Sequence, residues 1–336
     1  MDPTQRVRLG RTRLSITRLG LGTAPLGGLF EPVTEEEAWA TVERAYMAGL
    51  RFFDTAPLYG HGLAERRLGQ VLQLKPRSEF VLATKVGRLL RDWAPSDATQ
   101  HHRGEPFYKD APPLNPVFDF SYDGVMKSVD ESLERLGLDS IDVLHIHDPD
   151  RHFDEALSGA YRALNRLREQ GTVGAVGVGM NQAKMLVRFA HEANVDCFLL
   201  AGRYTLLDQI ALQELLPVCV ERNIAVLAGG VYNSGILASG TTFDYIPAPP
   251  ELIMRADRLN VACARHSVPL KAAAIQFPLG HPGVAAVLIG CRSPVEVDEN
   301  VRMFRHKIPV DLWEDLRRER LIQEDAPAPP AEGRGA

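Results

Sequence analysis

Eight short apolar runs, separated by stretches with the 3.6-residue spacing of amphipathic helices, constrain the fold of this 336-residue chain more than any other feature. The runs mostly lack alternation of apolar and polar residues, which is typical of strands covered on both faces of a parallel sheet. Eight strands alternating with helices, joined by right-handed crossovers, predict a (β/α)8 TIM barrel. A doubly wound open sheet is the alternative, but it usually has fewer strands. The runs are Leu19–Gly22, Arg51–Asp54, Phe80–Thr84, Ile141–Ile146, Val173–Gly177, Cys197–Leu200, Ile224–Leu227 and Ala285–Ile289.

The helical stretches carry signals for where they begin and end. Thr34 is a suitable N-cap before three glutamates, whose charges suit the positive end of the helix dipole, and Gly49 ends that helix. Two further helices are predicted in the same way, over Ser121–Leu136 and Asp154–Gln170, each followed by a glycine. Period-two alternation around a turn at Gly10 predicts an N-terminal β-hairpin before the first barrel strand.

Two segments depart from this rhythm. Residues 89–119, after the third barrel strand, form a proline-rich loop with Trp93, Phe107 and Tyr108, and loops of that length are functional or disordered. Because the loop leaves the carboxyl end of a strand, we expect a lid on the substrate side of the barrel. Residues 325–336 are rich in proline, alanine and glycine and are expected to be a disordered tail, which leaves residues 1–324 as one barrel domain.

Composition excludes several classes of function. The net charge of −5, with no block of lysine or arginine, argues against nucleic acid as a partner. The four cysteines have neither CxxC nor paired-histidine spacing, so we expect reduced thiols and no metal site. The amino terminus lacks the apolar core of a signal peptide, and no apolar run is long enough to span a bilayer. These features favour a cytoplasmic protein without a membrane partner; its oligomeric state is not predicted.

Three consecutive barrel strands deliver chemically active side chains to their carboxyl ends, where barrel active sites lie. The second strand ends in Asp54, the third runs into Lys85, the fourth ends near His147, and Tyr59 lies in the loop after Asp54. A phenol that transfers protons at neutral pH needs its anion stabilised, which a lysine ammonium does by lowering the phenol pKa. A carboxylate keeps the lysine charged, and a neutral histidine orients the reacting oxygen.

Each of these residues alone has a structural interpretation, such as a helix cap or a solvated strand end. Four of them at successive strand ends favour a catalytic site. His145 precedes His147 by two residues, and we predict that His147 faces the barrel interior whereas His145 faces the helices.

These motifs resemble those of the aldo-keto reductases. The similarity covers Leu9 to Arg305 and includes Asp54–Gly60, Ala83–Lys85, His147–Pro149 and Gly177–Asn181. The resemblance implies Asp54, Tyr59, Lys85 and His147 as a catalytic tetrad, and a nicotinamide cofactor extended over the carboxyl face without a metal. The segment Gly230–Leu237 and the long loop most resemble the branch that contains D-threo-aldose 1-dehydrogenase and L-fucose or galactose dehydrogenases.

The resemblance also implies which residues hold the cofactor. Asn181 matches the position that binds the carboxamide, and residues 289–292 match a phosphate-binding turn in which backbone N–H groups and Arg292 meet the pyrophosphate or adenosine. The aromatic residue expected after the seventh strand is replaced by Gly229 or Gly230, so Tyr204 or Tyr232 is expected to stack on the nicotinamide. The full set of implied cofactor residues is Gly22, Thr23, Asp54, Asn181, Tyr204, Gly229, Gly230, Asn233, Gly235, Leu237, Ile289, Gly290, Cys291, Arg292, Glu296, Glu299 and Asn300.

One departure from the family pattern bears on cofactor choice. Relatives that use NADP often have a basic residue four positions before the asparagine that matches Asn300, where this chain has Glu296. A carboxylate there would repel a 2′-phosphate, so we expect NAD to be preferred over NADP, although Arg292 and Arg302 could still favour NADP.

The resemblance implies oxidation of the anomeric hydroxyl of an aldose to a lactone, with Tyr59 as the acid/base. Oxidation of pyridoxal, or general reduction of aldehydes and ketones, is the enzymatic alternative. A regulatory subunit that senses nucleotides without turnover is the alternative of another class.

Overall fold

The computed structural model describes residues 1–92 and 107–329, together with the backbone of residues 101–102 and 105–106. Strands and helices alternate through the described residues. The strands are β1 Arg6–Arg8, β2 Ser15–Thr17, β3 Leu19–Gly22, β4 Phe52–Asp54, β5 Val81–Val86, β6 Arg88–Asp92, β7 His101–His102, β8 Glu105–Pro106, β9 Leu114–Phe118, β10 Val143–His147, β11 Ala175–Met180, β12 Cys197–Ala201, β13 Ala225–Gly229, β14 Thr242–Phe243, β15 Ile246–Pro247 and β16 Val284–Gly290.

The helices surround the sheet in the order that the sequence predicts. They are α1 Glu35–Met47, α2 Leu63–Leu72, α3 Tyr122–Leu136, α4 Phe153–Glu155, α5 Arg162–Glu169, α6 Ala183–Glu192, α7 Leu215–Glu221, α8 Pro250–Arg265, α9 Leu270–Gln276, α10 Pro294–Arg305 and α11 Val310–Arg318. Helix α1 begins with a capping box in which Thr34 and Glu37 bond each other's backbone N–H groups. The helix predicted over Asp154–Gln170 is interrupted by a π-helical segment at Ala156–Tyr161.

Eight of these strands form a closed barrel in which every neighbouring pair is parallel, which confirms the predicted fold class. Around the barrel the order is β3, β4, β5, β10, β11, β12, β13 and β16, with β16 pairing again with β3. The strands that carry Asp54, Lys85 and His147 are consecutive neighbours, so their carboxyl ends lie side by side. This order brings the three side chains to one face of the barrel.

Two apolar cores hold the barrel together. The inner core fills the barrel interior and includes Phe52, Val143 and Leu227. Leu9 and Ile16, from the predicted hairpin of β1 and β2, are fully buried in this same core. The hairpin therefore contributes to the inner core, while the larger outer core lies between strands and helices.

The prediction of a disordered tail is wrong for residues 325–329. Ala326 is buried, and its carbonyl accepts a hydrogen bond from Arg317 Nη2 at 2.8 Å. The Asp325 carboxylate accepts a bond from Gln213 at 2.9 Å. Proline-rich composition disfavours helices and strands, but it does not prevent an irregular segment from packing on helices already in place. Residues 330–336 lie outside the described residues.

Candidate active site

The predicted tetrad assembles at the carboxyl end of three neighbouring strands. Asp54 ends β4, Lys85 lies within β5 and His147 ends β10, while Tyr59 lies in the loop between β4 and α2. All three strand-borne side chains are buried. The site is thus built into the end of the barrel.

A buried ion pair lies beneath Tyr59. Lys85 Nζ lies 2.7 Å from Asp54 Oδ2 and donates a second hydrogen bond of 2.8 Å to the Thr55 carbonyl. The same Nζ lies 4.7 Å from the centroid of the Tyr59 ring. Burial raises the pKa of Asp54, and Lys85 acts in the opposite direction. Two hydrogen bonds and an opposite charge satisfy an ammonium that burial alone would strongly destabilise.

The expectation that the Tyr59 pKa is lowered by Lys85 is wrong. Burial raises the pKa of Tyr59 well above its usual value of 10, and the charge of Asp54 raises it further. The physical reason is that burial disfavours the phenolate, and Lys85, the cation beneath the ring, is paired with Asp54, so its charge does not outweigh the effect of burial. Tyr59 is therefore protonated at neutral pH and is ready to act as an acid.

His147 lies against Tyr59 as a neutral imidazole. The two rings meet edge to face with centroids 5.9 Å apart. Burial lowers the pKa of His147 well below 6.5, and the positive charges of Arg88 and Lys85 lower it further. A neutral imidazole can hydrogen-bond an uncharged carbonyl or hydroxyl oxygen without a competing charge.

The prediction that His145 and His147 face opposite sides is wrong. Residues two apart on a strand point to the same face, so both face the barrel interior. His145 is paired with Lys85 across β10 and β5, and its Nε2 lies 3.5 Å from Cys197 Sγ. Burial lowers the pKa of His145 to about 3, with Lys85 contributing. His145 thus forms a second, deeper polar layer beneath the tetrad.

Glu65 braces the tetrad, and the sequence reasoning missed it. This fully buried residue on α2 accepts hydrogen bonds from Thr84 Oγ1 at 2.7 Å and from Arg135 Nε at 2.6 Å. Because α2 follows the Tyr59 loop and Thr84 precedes Lys85, this carboxylate ties the loop to strand β5. The available signal was a glutamate on the apolar face of an amphipathic helix, between Leu63 and Leu68.

The described part of the long loop packs against the loop after β3. Strands β6 and β9 pair antiparallel, and an isolated bridge joins Tyr108 to Leu29. Gly28, with φ of +82°, approaches so closely that a Cβ there would lie 2.3 Å from the Lys109 carbonyl oxygen. Phe107 and Tyr108 thus lie at the carboxyl face of the barrel, as expected of a lid, whereas Trp93 lies outside the described residues.

A cleft of about 500 Å³ leads away from Tyr59 across the remaining strand ends. At the ends of β12 and β13 its lining includes four residues with little or no side chain, beside Leu199: Ala201, Gly202, Gly229 and Gly230. Thirteen of the predicted cofactor residues line it: Gly22, Asp54, Asn181, Gly229, Gly230, Asn233, Gly235, Ile289, Gly290, Arg292, Glu296, Glu299 and Asn300.

Four predicted cofactor residues do not line this cleft. Tyr204 is buried against Phe277 and His281, with ring centroids 5.3 and 5.8 Å apart, so the prediction that it stacks on the nicotinamide is wrong. Thr23, Leu237 and Cys291 are also buried. The presence of a tyrosine at position 204 does not show which way its ring points, and the structure turns it toward the helices.

The far end of the cleft holds a network of charged and polar groups. The backbone N–H of Arg292 donates to Glu296 Oε2 at 2.7 Å, so Glu296 lies at the predicted phosphate-binding turn. Tyr232 lines the cleft, and its hydroxyl donates to Asn300 Oδ1 at 2.6 Å. Lys271, which the sequence reasoning missed, bonds Glu299 at 2.6 Å; only the packing of α9 on α10 brings these two together.

The cleft fits the dinucleotide that the predicted family would bind. Gly230 has φ of +62°, and a Cβ there would lie 3.1 Å from the backbone nitrogen of Gly202, so the wall admits no side chain without adjustment. Backbone approach of this kind suits an extended ligand, and Arg292 offers a cation at the opposite end.

Within the described ranges, no helix has the length and apolar character needed to cross a membrane. The same residues contain no group of three or more histidine, cysteine, aspartate or glutamate side chains arranged to hold a metal ion.

Comparison with known proteins identifies the family. The model of the Aldo/keto reductase family matches residues 18–318. A pyridoxal 4-dehydrogenase from Microbacterium luteolum is 44% identical over 96% of this chain and 99% of its own length. A D-threo-aldose 1-dehydrogenase from a Pseudomonas species is also 44% identical, over 92% of this chain and 95% of its own.

Solved structures agree on the fold. A glycerol dehydrogenase from Gluconobacter oxydans superposes with a TM-score of 0.74 at 21% identity, covering 99% of both chains. An aldo-keto reductase from Bacillus halodurans gives a TM-score of 0.72 at 23% identity and covers 98% of both chains. The chain belongs to the aldo/keto reductase family and is an oxidoreductase. Members of this family use nicotinamide cofactors.

Proposed function

We propose that this aldo/keto reductase oxidises the anomeric hydroxyl of an aldose to a lactone, with Tyr59 as the acid/base and NAD as the preferred cofactor. The observation that carries the proposal is the buried Lys85–Asp54 ion pair, with its ammonium 4.7 Å from the centroid of the Tyr59 ring and a neutral His147 at the ring's edge. The 44% identity to an aldose 1-dehydrogenase supports the substrate class.

Each residue of the tetrad has a separate role in the proposed reaction. The reacting oxygen is held between the Tyr59 hydroxyl and His147, and a nicotinamide cofactor bound in the cleft supplies the hydride acceptor for oxidation or the donor for reduction. Tyr59 takes the hydroxyl proton in oxidation and returns it in reduction. Lys85 stabilises the phenolate by its charge, and Asp54 fixes the ammonium in place.

Asn181 and Arg292, which both line the cleft, are proposed to bond the cofactor through their side chains. Glu296 beside Arg292 supports a preference for NAD, because a second negative charge near this carboxylate is unfavourable. Arg292 and Arg302 are the cations that oppose this preference. Lys271 also lines the cleft, but it is paired with Glu299.

Pyridoxal oxidation is the second candidate, favoured by a relative of the same 44% identity. Aldoses and pyridoxal both form cyclic hemiacetals, so one proton transfer and one hydride transfer convert either to a lactone.

A regulatory role without turnover is disfavoured, since the relatives above are named for dehydrogenase activities.

A substrate screen tests the proposal. The purified chain is incubated with L-fucose, D-arabinose, L-galactose, D-galactose or pyridoxal, each with NAD⁺ and with NADP⁺, and formation of the reduced cofactor is followed. We expect turnover of at least one aldose, with a higher kcat/KM for NAD⁺. Turnover of pyridoxal alone would replace the substrate assignment, and a higher kcat/KM with NADP⁺ would overturn the cofactor assignment.

A further inference from the structure

An ion pair lies beside the tetrad, on residues that the mechanism above does not use. Arg88 Nη2 donates to Asp148 Oδ2 at 2.9 Å, joining the start of β6 to the end of β10. The Arg88 guanidinium lies over the ring of Phe118, 4.2 Å from its centroid, which fixes its direction. Both residues are largely removed from solvent, with 13% and 27% of their side chains exposed.

Asp148 is held in an uncommon backbone conformation. It has φ of +46°, and its N–H donates to the carbonyl of Gly179 at 3.0 Å. Such a conformation costs free energy for a residue other than glycine, although aspartate tolerates it better than most. The chain thus maintains a strained turn that keeps this carboxylate next to His147.

The pair adjoins the place where the reacting oxygen is held. Asp148 Oδ2 lies 3.5 Å from His147 Nε2, so the two side chains are close enough to contact oxygens on adjacent carbons of one substrate. The field of the pair also reaches the phenol: burial is the main cause of the raised Tyr59 pKa, but Asp148 raises it and Arg88 lowers it.

The pair retains unused hydrogen-bonding capacity. Within the described part of the chain, the hydrogen bond of the pair uses Asp148 Oδ2, which leaves Oδ1 as an acceptor, whereas Arg88 Nε has no hydrogen-bond partner but is buried. A pair that only anchored the lid strand to the barrel would not require a position next to His147. Arg91, on the same strand, already makes such an anchor with Glu131 at 3.2 Å.

We propose that the Arg88–Asp148 pair selects the substrate by binding the hydroxyl on the carbon next to the reacting carbon. The carboxylate accepts that hydroxyl's hydrogen and the guanidinium donates to its oxygen. The preferred substrates are therefore 2-hydroxy aldehydes and the cyclic hemiacetals of aldoses. This inference rests on the proposed function only in taking Tyr59 and His147 as the groups that hold the reacting oxygen.

A site built to bond a hydroxyl rejects an analogue that lacks it, because its own charged groups are then desolvated without a partner. We therefore expect kcat/KM for a 2-hydroxy aldehyde to exceed that for the matching simple aldehyde by about 10- to 100-fold. Reduction of lactaldehyde and propanal with NADH or NADPH measures this ratio directly, because the two differ only in the 2-hydroxyl.

Two variants locate the preference. Arg88→Met keeps an unbranched stem over Phe118, and Asp148→Asn keeps a residue that tolerates positive φ. In either variant, the ratio of kcat/KM for lactaldehyde to that for propanal should fall to within about threefold of unity; the ratio is the readout, because the charge of the pair also acts on Tyr59 and His147 and so can change both rates together. Arg91→Met, which breaks the neighbouring ion pair on the same strand, is the matched control and should leave the ratio unchanged.

The outcomes separate the two proposals. A wild type without preference for lactaldehyde, or variants that lose both activities equally, would overturn the inference and leave the pair as an anchor of the loop. If no aldose is oxidised with NAD⁺ but the lactaldehyde preference is present and depends on Arg88 and Asp148, the inference stands and the aldose assignment fails.

Discussion

The two halves of the carboxyl face are built in opposite ways. At the ends of β4, β5 and β10, buried charged side chains contact one another, as the 2.7 Å bond between Lys85 and Asp54 illustrates. At the ends of β12 and β13, the lining is rich in alanine and glycine, and free volume takes the place of charged side chains. Under the proposed function, the first half transfers protons through its side chains, and the second half offers its backbone to the cofactor.

This difference explains what the sequence could reveal. Strand ends rich in Asp, Lys and His identify a catalytic site by residue type, so the tetrad positions followed from the strand pattern. A cleft made of backbone has no such signal, and Tyr204 was taken as a stacking residue although it packs on Phe277. The direction of the Tyr204 side chain depends on packing between the loop after β12 and the segment after α9, which periodicity does not describe.

Within the catalytic half, contacts across the fold were also beyond sequence reasoning. Glu65 and Thr84 are 19 residues apart on different elements, and only the barrel order brings them within 2.7 Å. The error at His145 was of another kind, since strand geometry alone places residues 145 and 147 on one face. The pKa of Tyr59 could not be predicted because it depends on how deeply the phenol is buried.

Of the variants that test the difference between the two halves, Lys85→Met should lower kcat the most. Lys85→Met removes the cation beneath Tyr59 and leaves Asp54 as an uncompensated buried carboxylate, so kcat should fall by about 10³-fold. Affinity for the cofactor should change much less, because the cleft wall is backbone. Steady-state kinetics and fluorescence titration with NADH measure the two quantities. Equal losses in both would contradict the division of the face into two halves.

A smaller effect on kcat is expected from the hydrogen bond between Thr84 and Glu65, which supports the tetrad. Thr84→Val removes the hydrogen bond to Glu65 while keeping its shape, so kcat should fall about tenfold as Tyr59 and Lys85 lose their fixed separation. Thr17→Val is the control: it removes a buried hydroxyl that bonds the Leu19 carbonyl, at the other end of β3 from the cofactor cleft. Both should cost about 1–2 kcal/mol in unfolding free energy, but only the first should lower kcat.

Changing the charge of Glu296, in the cofactor half, should alter the preference between NAD⁺ and NADP⁺. Glu296→Arg should lower the ratio of kcat/KM for NAD⁺ to that for NADP⁺ by about tenfold or more. Glu296→Gln keeps an oxygen that can accept the Arg292 N–H and should shift the ratio less, in the same direction. If neither variant changes the ratio, cofactor choice is set elsewhere, with Lys271 as the next residue to test.

The smallest effect is expected at Tyr204. Its hydroxyl is buried without a hydrogen-bond partner among the described residues, and burial raises its pKa. Tyr204→Phe should therefore leave kcat and cofactor affinity within about twofold and change the unfolding free energy by less than about 1 kcal/mol. A large loss of cofactor affinity would mean that this ring belongs to the cleft after all.

The most direct test of the account is the pH dependence of Tyr59→Phe and wild type in both directions. In the wild type, oxidation should accelerate as pH rises toward the raised pKa of Tyr59, because the phenolate is the base. Reduction should stay constant over that range, because the phenol is already protonated, and should slow only as pH approaches the pKa. No acidic limb from His147 is expected near 6.5, since its pKa is lowered and it is already neutral there. Tyr59→Phe should reduce kcat by about 10²- to 10⁴-fold in both directions and remove the alkaline dependence, while NADH affinity stays within about threefold. Turnover that is unchanged in Tyr59→Phe, or that keeps the same alkaline dependence, would contradict the assignment of Tyr59 as the acid/base.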